Sequence, residues 1–141
     1  MGRKLYFLSE TNMDDKILAP RIPDNFFTRN GYEDNTTNRV CFSTSIDGAL
    51  KALSMNCKDK DFYVHRPMYS TKLEVLQPTT EQVPDCEITG ERWIIRPVKL
   101  ECVGLIRVRD DDGKDGEEFT YGDGKVAKLY GWKWSWVSFR I

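Results

Sequence analysis

Short apolar blocks alternate with polar turns along most of the chain, a pattern that favours short strands over long helices. The first block, residues 4–9, is apolar and aromatic and predicts a strand. The segment that follows, residues 10–38, is polar and contains Pro20, Pro23 and an Asn30-Gly31 turn signal. Because so long a connection rarely lacks secondary structure of its own, we expect short helical or extended pieces within it.

One helix is predicted, directly after a second strand at residues 39–43. Thr44 and Ser45 offer hydroxyl oxygens to the unpaired N–H groups of a first helical turn, and Asp47 lies near the positive end of the helix dipole. Apolar residues then repeat at i, i+3, i+4 and i+7 spacing, so we expect a helix at residues 46–55. These apolar residues are Ile46, Ala49, Leu50 and Leu53.

Antiparallel strands account for most of the remaining pattern. Strands are predicted at residues 61–66, 91–96, 100–109 and 132–141, with a further short strand at 73–76 and a turn-rich connection at 78–90. A hairpin is predicted from residues 117–121 and 125–130. In the last strand, alternation places Trp132, Trp134 and Trp136 on one face and Val137, Phe139 and Ile141 on the other.

The fold class follows from these elements: α+β, with a mostly antiparallel, split or sandwich-like sheet and one or two helices. The length of 141 residues and the hydrophobic content of 40% suit a single domain over residues 1–141 with one core. No apolar stretch approaches the roughly 18 residues that a membrane helix needs, and the N-terminus lacks the pattern of a signal peptide. We therefore expect a cytoplasmic protein that has no membrane partner.

The charges nearly cancel, with 21 Lys and Arg residues against 22 Asp and Glu residues. This balance argues against non-specific nucleic-acid binding, which depends on an excess of basic side chains that neutralise phosphates. It does not argue against a small anion site, which needs only a local group of basic or polar side chains.

The sequence carries no strong metal-binding or disulfide pattern. The cysteines at positions 41, 57, 86 and 102 form no C-x-x-C pair, and we expect reduced thiols, with two disulfides as the alternative. The acidic segment at residues 110–116 does not keep EF-hand spacing, because Tyr121 occupies the position where that loop needs Glu. We expect a solvated hairpin loop there, with a weak cation site as the alternative, and we predict no metal site in the protein.

Two short segments carry the chemistry that the pattern suggests most directly. Ser43, Thr44 and Ser45 stand between a strand and a helix, where hydroxyl groups suit phosphate or ribose oxygens. Glu91 follows Gly90 at the start of an apolar strand, and glycine permits a ligand to approach the backbone closely. A carboxylate fixed there would stabilise positive charge on a ribose during cleavage of a glycosidic C–N bond. The alternative is that Glu91 is a solvent-facing residue at a strand end.

Further candidate ligand contacts are Ser9 at the end of the first strand, Arg39 at the start of the second, and His65 with Arg66 in the third. His65 is the only histidine in the chain. A lone histidine is commonly structural, and as a general base it would need an oriented partner. The tryptophans at 132, 134 and 136 either cover the core or stack a base or a sugar ring.

The order of these segments resembles the small bacterial and phage members of the ADP-ribosyltransferase-like superfamily. The resemblance rests on an aromatic first strand that ends in Ser9, a strand that leads through Ser43-Thr44-Ser45 into a helix, and the strand that begins Glu91-Arg92-Trp93. That superfamily includes diphtheria-toxin-type transferases, Arg-Ser-Glu-type transferases and RNA 2′-phosphotransferases. The resemblance implies a split antiparallel sheet around a cleft for nicotinamide adenine dinucleotide (NAD), which would be the cofactor.

The same resemblance implies roles for individual residues. Ser43, Thr44 and Ser45 would support the nicotinamide side of the cleft. Glu91 would be the catalytic carboxylate, which accepts a hydrogen bond from a ribose hydroxyl and stabilises an oxocarbenium-like transition state.

Two positions differ from the superfamily pattern. Its first-strand His or Arg corresponds to a position near Phe7, and Ser9, Arg3 or Arg21 are the candidates to take that role. Thr89 stands where Arg-Ser-Glu-type transferases carry a second Glu or Gln.

Three functions are therefore predicted as alternatives. The first is a nucleotide-binding or inhibitory protein, from a phage, mobile-element or bacterial defence context, that binds an NAD-like or other nucleotide-like ligand. The second is an active NAD-dependent ADP-ribosyltransferase or NAD hydrolase that uses Glu91. The third is an interaction module that binds a target protein, without a small ligand, through the strand that carries Trp132, Trp134 and Trp136.

Overall fold

The structure is a computed structural model that describes residues 4–22, 27–28, 31–32, 34, 36–53, 59–68, 74–84, 86–110, 117–120, 126–129 and 132–139. The strands in this part of the chain are β1 (Phe7–Ser9), β2 (Ile17–Leu18), β3 (Phe27–Thr28), β4 (Gly31–Tyr32), β5 (Val40–Ser43), β6 (Asp61–Pro67), β7 (Glu91–Ile94), β8 (Val98–Asp110), β9 (Glu117–Thr120), β10 (Val126–Leu129) and β11 (Trp132–Phe139). The helices are α1 (Ile46–Leu53) and α2 (Cys86–Thr89).

The larger sheet is antiparallel throughout. Its strands are ordered β1-β6-β8-β11, and β2 pairs with the start of β8. Two further pairs, β3–β4 and β9–β10, are also antiparallel. The predicted α+β class is therefore confirmed. The predicted hairpin at the C-terminal end is confirmed as well, with Val126 paired to Thr120.

A smaller sheet consists of β5 and β7, which are antiparallel. Their register places Ser43 opposite Glu91 and Cys41 opposite Trp93. Tyr6, just before β1, joins this pair to the larger sheet through two backbone hydrogen bonds with Ser43, of 2.8 Å and 3.0 Å. The sheet is therefore split, and β1 lies at the junction of its two parts.

Helix α1 packs on the larger sheet, and its apolar side is buried in a cluster with β6 and β8. The amide N–H of Gly48 donates a 2.9 Å hydrogen bond to Ser45 Oγ, so Ser45 is the capping residue of the predicted helix start. Trp134 Nε1 donates a 2.8 Å hydrogen bond to Asp47 Oδ1. This second bond ties the first turn of the helix to β11 and so fixes the position of α1 over the sheet.

The predicted faces of the last strand are wrong at its end, because β11 contains a bulge. Trp134 and Trp136 share a face as predicted, with 5.9 Å between their ring centroids. Trp136 and Ser138, however, pair with successive residues of β8, so Val137 is an extra residue in the ladder. Phe139 consequently lies on the same face as Trp136, with 5.8 Å between the ring centroids.

Other predicted boundaries differ from the structure by a few residues. The first strand begins at Phe7, β6 includes Pro67, and β7 ends at Ile94. Of the predicted strand at residues 73–76, the structure describes a single bridge between Leu76 and Trp93. The turn-rich connection at residues 78–90 ends in the short helix α2, which the periodicity does not predict.

Some predictions fall outside the described residues. These include Arg3, the end of the predicted helix at residues 54–55, Cys57, the acidic segment at residues 111–116, residues 121, 125 and 130 of the predicted hairpin, and Ile141. The three described cysteines, Cys41, Cys86 and Cys102, form no disulfide with one another. Among the described residues, no helix is both long enough and apolar enough to cross a membrane.

Candidate functional site

A cavity of about 140 Å³ opens between β1, β5 and α1, with Glu91 of β7 in its wall. Most of its lining is apolar and comes from three elements: Tyr6, Phe7 and Leu8 at β1, Cys41, Phe42 and Ser43 on β5, and Ala49, Ala52 and Leu53 on α1. The two small alanine side chains keep α1 from filling the space. We call this space the Glu91 cavity.

The carboxyl group of Glu91 is held in one orientation. Trp93 Nε1 donates a 2.6 Å hydrogen bond to Glu91 Oε2, and Cys41 Sγ lies 4.0 Å from the same oxygen. Both Glu91 and Trp93 are buried, with 8% and 2% of their surfaces exposed. They share a face because side chains two residues apart along a strand point to the same side. A hydrogen bond to a carboxylate is among the stronger ones in proteins, so this contact restrains the carboxyl group well.

Trp93 is in turn held by Arg39. The guanidinium carbon of Arg39 lies 4.3 Å from the centroid of the Trp93 ring, a cation–π contact. Arg39 Nη1 donates hydrogen bonds to the carbonyl oxygens of Asp34 and Thr37, of 2.8 Å and 3.0 Å. The candidate ligand contact Arg39 is thus a buried residue behind Trp93, and its contact with the Glu91 cavity is indirect.

Asp34 completes this chain of contacts at its far end. Its Oδ2 lies 3.4 Å from Arg39 Nη1, and the Thr36 hydroxyl donates a 2.7 Å hydrogen bond to its Oδ1. The bond from Thr36 is the main cause that lowers the pKa of Asp34, and Thr37 and Arg39 lower it further. Asp34, Arg39, Trp93 and Glu91 therefore form a continuous series from the surface to the cavity.

The three neighbouring hydroxyl groups of the predicted site have different positions. Ser43 lies opposite Glu91 and lines the cavity with it, as the predicted site requires. Thr44 is exposed, and its N–H donates a 3.1 Å hydrogen bond to the carbonyl oxygen of Gly90. Ser45 caps α1. The structure thus brings together Ser43 and Glu91, while Thr44 and Ser45 shape the turn beside them.

Gly90 has a conformational role at this turn. Its φ of +66° lies in the left-handed region, and a Cβ atom there would collide with Thr44 Oγ1. The glycine therefore lets β7 begin in close contact with the turn that follows β5. This contact is consistent with the register that places Glu91 opposite Ser43.

His65 is fully buried and fixes β1 from behind the cavity. The N–H of Met13 donates a 2.8 Å hydrogen bond to Nε2, so Nε2 is unprotonated. The proton of the neutral ring is therefore on Nδ1, which donates to the carbonyl oxygen of Phe7 at 3.2 Å. Burial lowers the pKa of His65; the bond to Phe7, and then the charge of Asp14, oppose that effect. His65 is placed to hold Phe7, which lines the cavity.

Ser9 and Arg66 lie away from the cavity lining that the structure describes. Ser9 Oγ accepts a 3.1 Å hydrogen bond from the N–H of Thr11, which shapes the turn after β1. Arg66 is exposed, and its Nε donates a 3.0 Å hydrogen bond to Glu101 Oε2 across the β6–β8 pair. Both contacts are local and serve the structure around them.

Cys41 and Trp93 are parts of the site that the sequence interpretation did not select. Each lies two residues from a selected residue on the same strand: Cys41 from Ser43, and Trp93 from Glu91. Because side chains two residues apart on a strand lie on the same face, this spacing from Ser43 and Glu91 predicts that Cys41 and Trp93 belong to the site. Among the described residues, no group of three or more His, Cys, Asp or Glu side chains could hold a metal ion.

Comparison of the chain with protein-family models, with curated protein sequences and with solved structures finds no match. The geometry around Glu91 therefore carries the functional argument.

Proposed function

We propose that the protein binds a nucleotide of the NAD type, with the nicotinamide ring in the Glu91 cavity and the adjoining ribose at Glu91. The observation that carries this proposal is the buried Glu91 carboxyl group, oriented by Trp93 and facing a small cavity opposite Ser43. Ligand sites of small molecules are typically apolar spaces with a few fixed polar groups. The Glu91 cavity has that composition.

The size of the cavity supports one ring as its occupant. Apolar cavities of about 150 Å³ hold a single benzene ring, and the Glu91 cavity measures about 140 Å³. A whole dinucleotide is much larger, so its ribose, diphosphate and adenosine would lie outside this space. Tyr6, Leu8 and Leu53 supply apolar contacts for a ring.

Glu91 would bind the ribose through its carboxylate oxygens. A carboxylate offers about four acceptor positions, which suits a group that accepts hydrogen bonds from more than one hydroxyl. Ser43 on the opposite strand adds a hydroxyl that both donates and accepts. A vicinal pair of ribose hydroxyls suits this combination.

Cleavage of the nicotinamide–ribose bond is a second candidate function, and the fixed, buried position of Glu91 favours it. In this reaction the bond between ribose C1′ and the nicotinamide nitrogen breaks, and its electron pair leaves with nicotinamide. Positive charge develops on the ribose, and water or another nucleophile adds to C1′ and loses a proton. A carboxylate already oriented at this position stabilises that charge without reorganisation.

We also propose that the protein acts in the cytoplasm. The burial of Cys102 as a thiol supports this proposal. The molecule it acts on would be the nucleotide itself or a target protein that accepts ADP-ribose.

Thermal unfolding in the presence of NAD, ADP-ribose and nicotinamide tests binding. A ligand at about 100 times its Kd stabilises the native state by roughly 2.7 kcal/mol, so a clear rise in Tm is expected with NAD. Glu91→Gln should weaken this effect, whereas Glu87→Gln, which changes an exposed carboxylate of α2, should preserve it. The absence of any stabilisation by these ligands would count against the proposal.

Release of nicotinamide from NAD tests the second function. The wild-type protein and Glu87→Gln should release nicotinamide at the same rate, and Glu91→Gln should release none above background. Binding of NAD without release by the wild-type protein would support the binding function alone.

A further inference from the structure

A second, larger cleft of about 540 Å³ lies beside the β5–β7 pair, and the proposed function does not use it. The side chains that the structure describes around it are Lys4, Leu5, Thr44, Val75, Gln77 and Arg92. Arg92 lies between Glu91 and Trp93 in β7, so strand alternation directs it to the face opposite the Glu91 cavity. Leu5 and Tyr6 alternate in the same way: Tyr6 lines the Glu91 cavity, and Leu5 lines the larger cleft.

The polar groups of this cleft suit an anion. Two of the described lining side chains, Lys4 and Arg92, are cationic, and none of them is acidic. Thr44 adds a hydroxyl and Gln77 an amide, both of which donate hydrogen bonds. The chain as a whole has a net charge of −1, so two cations on one cleft are not the result of a general excess of basic residues.

Arg92 is partly immobilised at the cleft. Its Nη1 donates a 2.8 Å hydrogen bond to the backbone carbonyl oxygen of Glu91, and its side chain is half-buried. A guanidinium has five N–H donors, so this bond leaves most of them for a ligand. Leu5, which is buried, and Val75 form apolar wall beside it, where charge–charge contacts are less screened than in open solvent.

We propose that this cleft binds a phosphorylated small molecule, with Lys4 and Arg92 contacting the phosphoryl oxygens and Thr44 and Gln77 adding hydrogen bonds. Guanidinium and phosphate groups form strong, charge-assisted hydrogen bonds with defined geometry. The cleft is separated from the Glu91 cavity by the β5–β7 pair. The phosphoryl group belongs either to the nucleotide of the proposed function or to a separate ligand.

Isothermal titration with pyrophosphate, at constant ionic strength, tests the anion site. The wild-type protein should show saturable binding, and Lys4→Gln and Arg92→Gln should each weaken it by about tenfold or more. Lys16→Gln and Arg96→Gln remove exposed charges outside the described lining and should leave the Kd unchanged. Arg92→Lys keeps the charge and should lose less affinity than Arg92→Gln.

Two results would overturn the proposal: no saturable binding by the wild-type protein, or the same Kd in Lys4→Gln and Arg92→Gln as in the two control variants. Thermal unfolding without ligand shows whether each variant is folded. Lys4 is exposed, so Lys4→Gln keeps the test valid even when Arg92→Gln fails to fold.

Glu91→Gln separates this proposal from the proposed function. If Glu91→Gln binds pyrophosphate with the affinity of the wild-type protein, the anion site does not depend on the Glu91 cavity. If Glu91→Gln and Arg92→Gln lose the same affinity for pyrophosphate, the result contradicts a separate site. If the anion site is independent of Glu91, competition between pyrophosphate and ADP-ribose identifies the source of the phosphoryl group. Displacement of pyrophosphate by ADP-ribose assigns the site to the nucleotide, and lack of displacement assigns it to a separate phosphorylated ligand.

Discussion

The indole N–H of Trp93 donates a 2.6 Å hydrogen bond to the carboxyl group of Glu91, two residues earlier on the same strand. Both side chains are buried, so neither is well placed to exchange its partner for water. The bond therefore fixes the direction of the carboxyl group in the described lining of the Glu91 cavity. Its effect on stability and orientation is open to direct measurement.

Trp93→Phe removes the donor and retains most of the apolar ring. Because hydrogen bonds to charged groups contribute about 1.5–3 kcal/mol, the free energy of unfolding in urea should fall by at least about 1.5 kcal/mol. Trp136→Phe is the matched control, since Trp136 is 39% exposed. It should cost less than about 1 kcal/mol, as surface substitutions commonly do. Equal losses in the two variants would contradict a special role for the Trp93–Glu91 bond.

Arg39 stabilises the fold from behind Trp93. Its buried guanidinium contacts the Trp93 ring and two backbone carbonyl oxygens, and Arg39→Ala would leave those groups without their partner. We expect a loss of about 3 kcal/mol or more in urea unfolding. Arg96→Ala, which truncates an exposed side chain, should change the free energy of unfolding by no more than about 0.5 kcal/mol. A small loss in Arg39→Ala would mean that its cation–π contact contributes little.

His65 should make stability depend on pH. Its pKa in the folded protein is below the usual value, mainly because of burial, so the unfolded chain takes up a proton at a higher pH than the folded protein. The free energy of unfolding therefore decreases as pH falls below about 6.5. Protonation of Nε2 would also place a donor against the N–H of Met13. Asp34 and Asp61 have lowered pKa values and titrate at more acidic pH.

Urea unfolding at pH 7.5 and 5.5, with His65→Gln as the comparison, measures this dependence. The wild-type protein should lose stability between the two values, and His65→Gln should lose much less. Since His65 is the only histidine, its NMR titration in the folded wild-type protein gives the same information directly. A titration midpoint at or above the usual histidine value would contradict the prediction.

Gly90→Ala should destabilise the turn before β7 for two separable reasons. A positive φ costs an alanine about 1–2 kcal/mol, and the added Cβ would collide with Thr44 Oγ1. In a double-mutant cycle with Thr44→Ala, the collision is relieved and Gly90→Ala should cost at least about 0.5 kcal/mol less. Additive losses would show that the backbone conformation alone requires glycine.

The local features of the site could be predicted from short stretches of sequence. The cap that Ser45 forms on α1 is local, because its hydroxyl accepts a hydrogen bond from the N–H of Gly48, only three residues later. The β9–β10 hairpin likewise depends on two segments close in sequence. Ser43 and Glu91 were both selected as site residues, and the structure places them opposite each other on β5 and β7. Their selection rested on residue type and strand position, which are local properties.

The bulge at Val137 and the burial of Arg39 and His65 could not be predicted in this way. The alternation in β11 is regular in sequence, and the extra residue appears only when Trp136 and Ser138 are paired with β8. Arginine is ordinarily exposed, and the burial of Arg39 depends on the Trp93 ring, which a distant strand supplies. The structural role of His65 depends in the same way on the N–H of Met13, which is 52 residues away in the chain.

The sequence by itself determined helix α1, the longer strands, the α+β class and the presence of a carboxyl group beside a hydroxyl-rich turn. Only the tertiary structure decided that Glu91 faces a cavity, that Trp93 orients it, and that Arg92 faces a separate cleft. The physical reason is that periodicity and capping act between neighbours in the chain. Strand pairing and burial, in contrast, bring together residues such as Cys41 and Glu91 that no local rule connects.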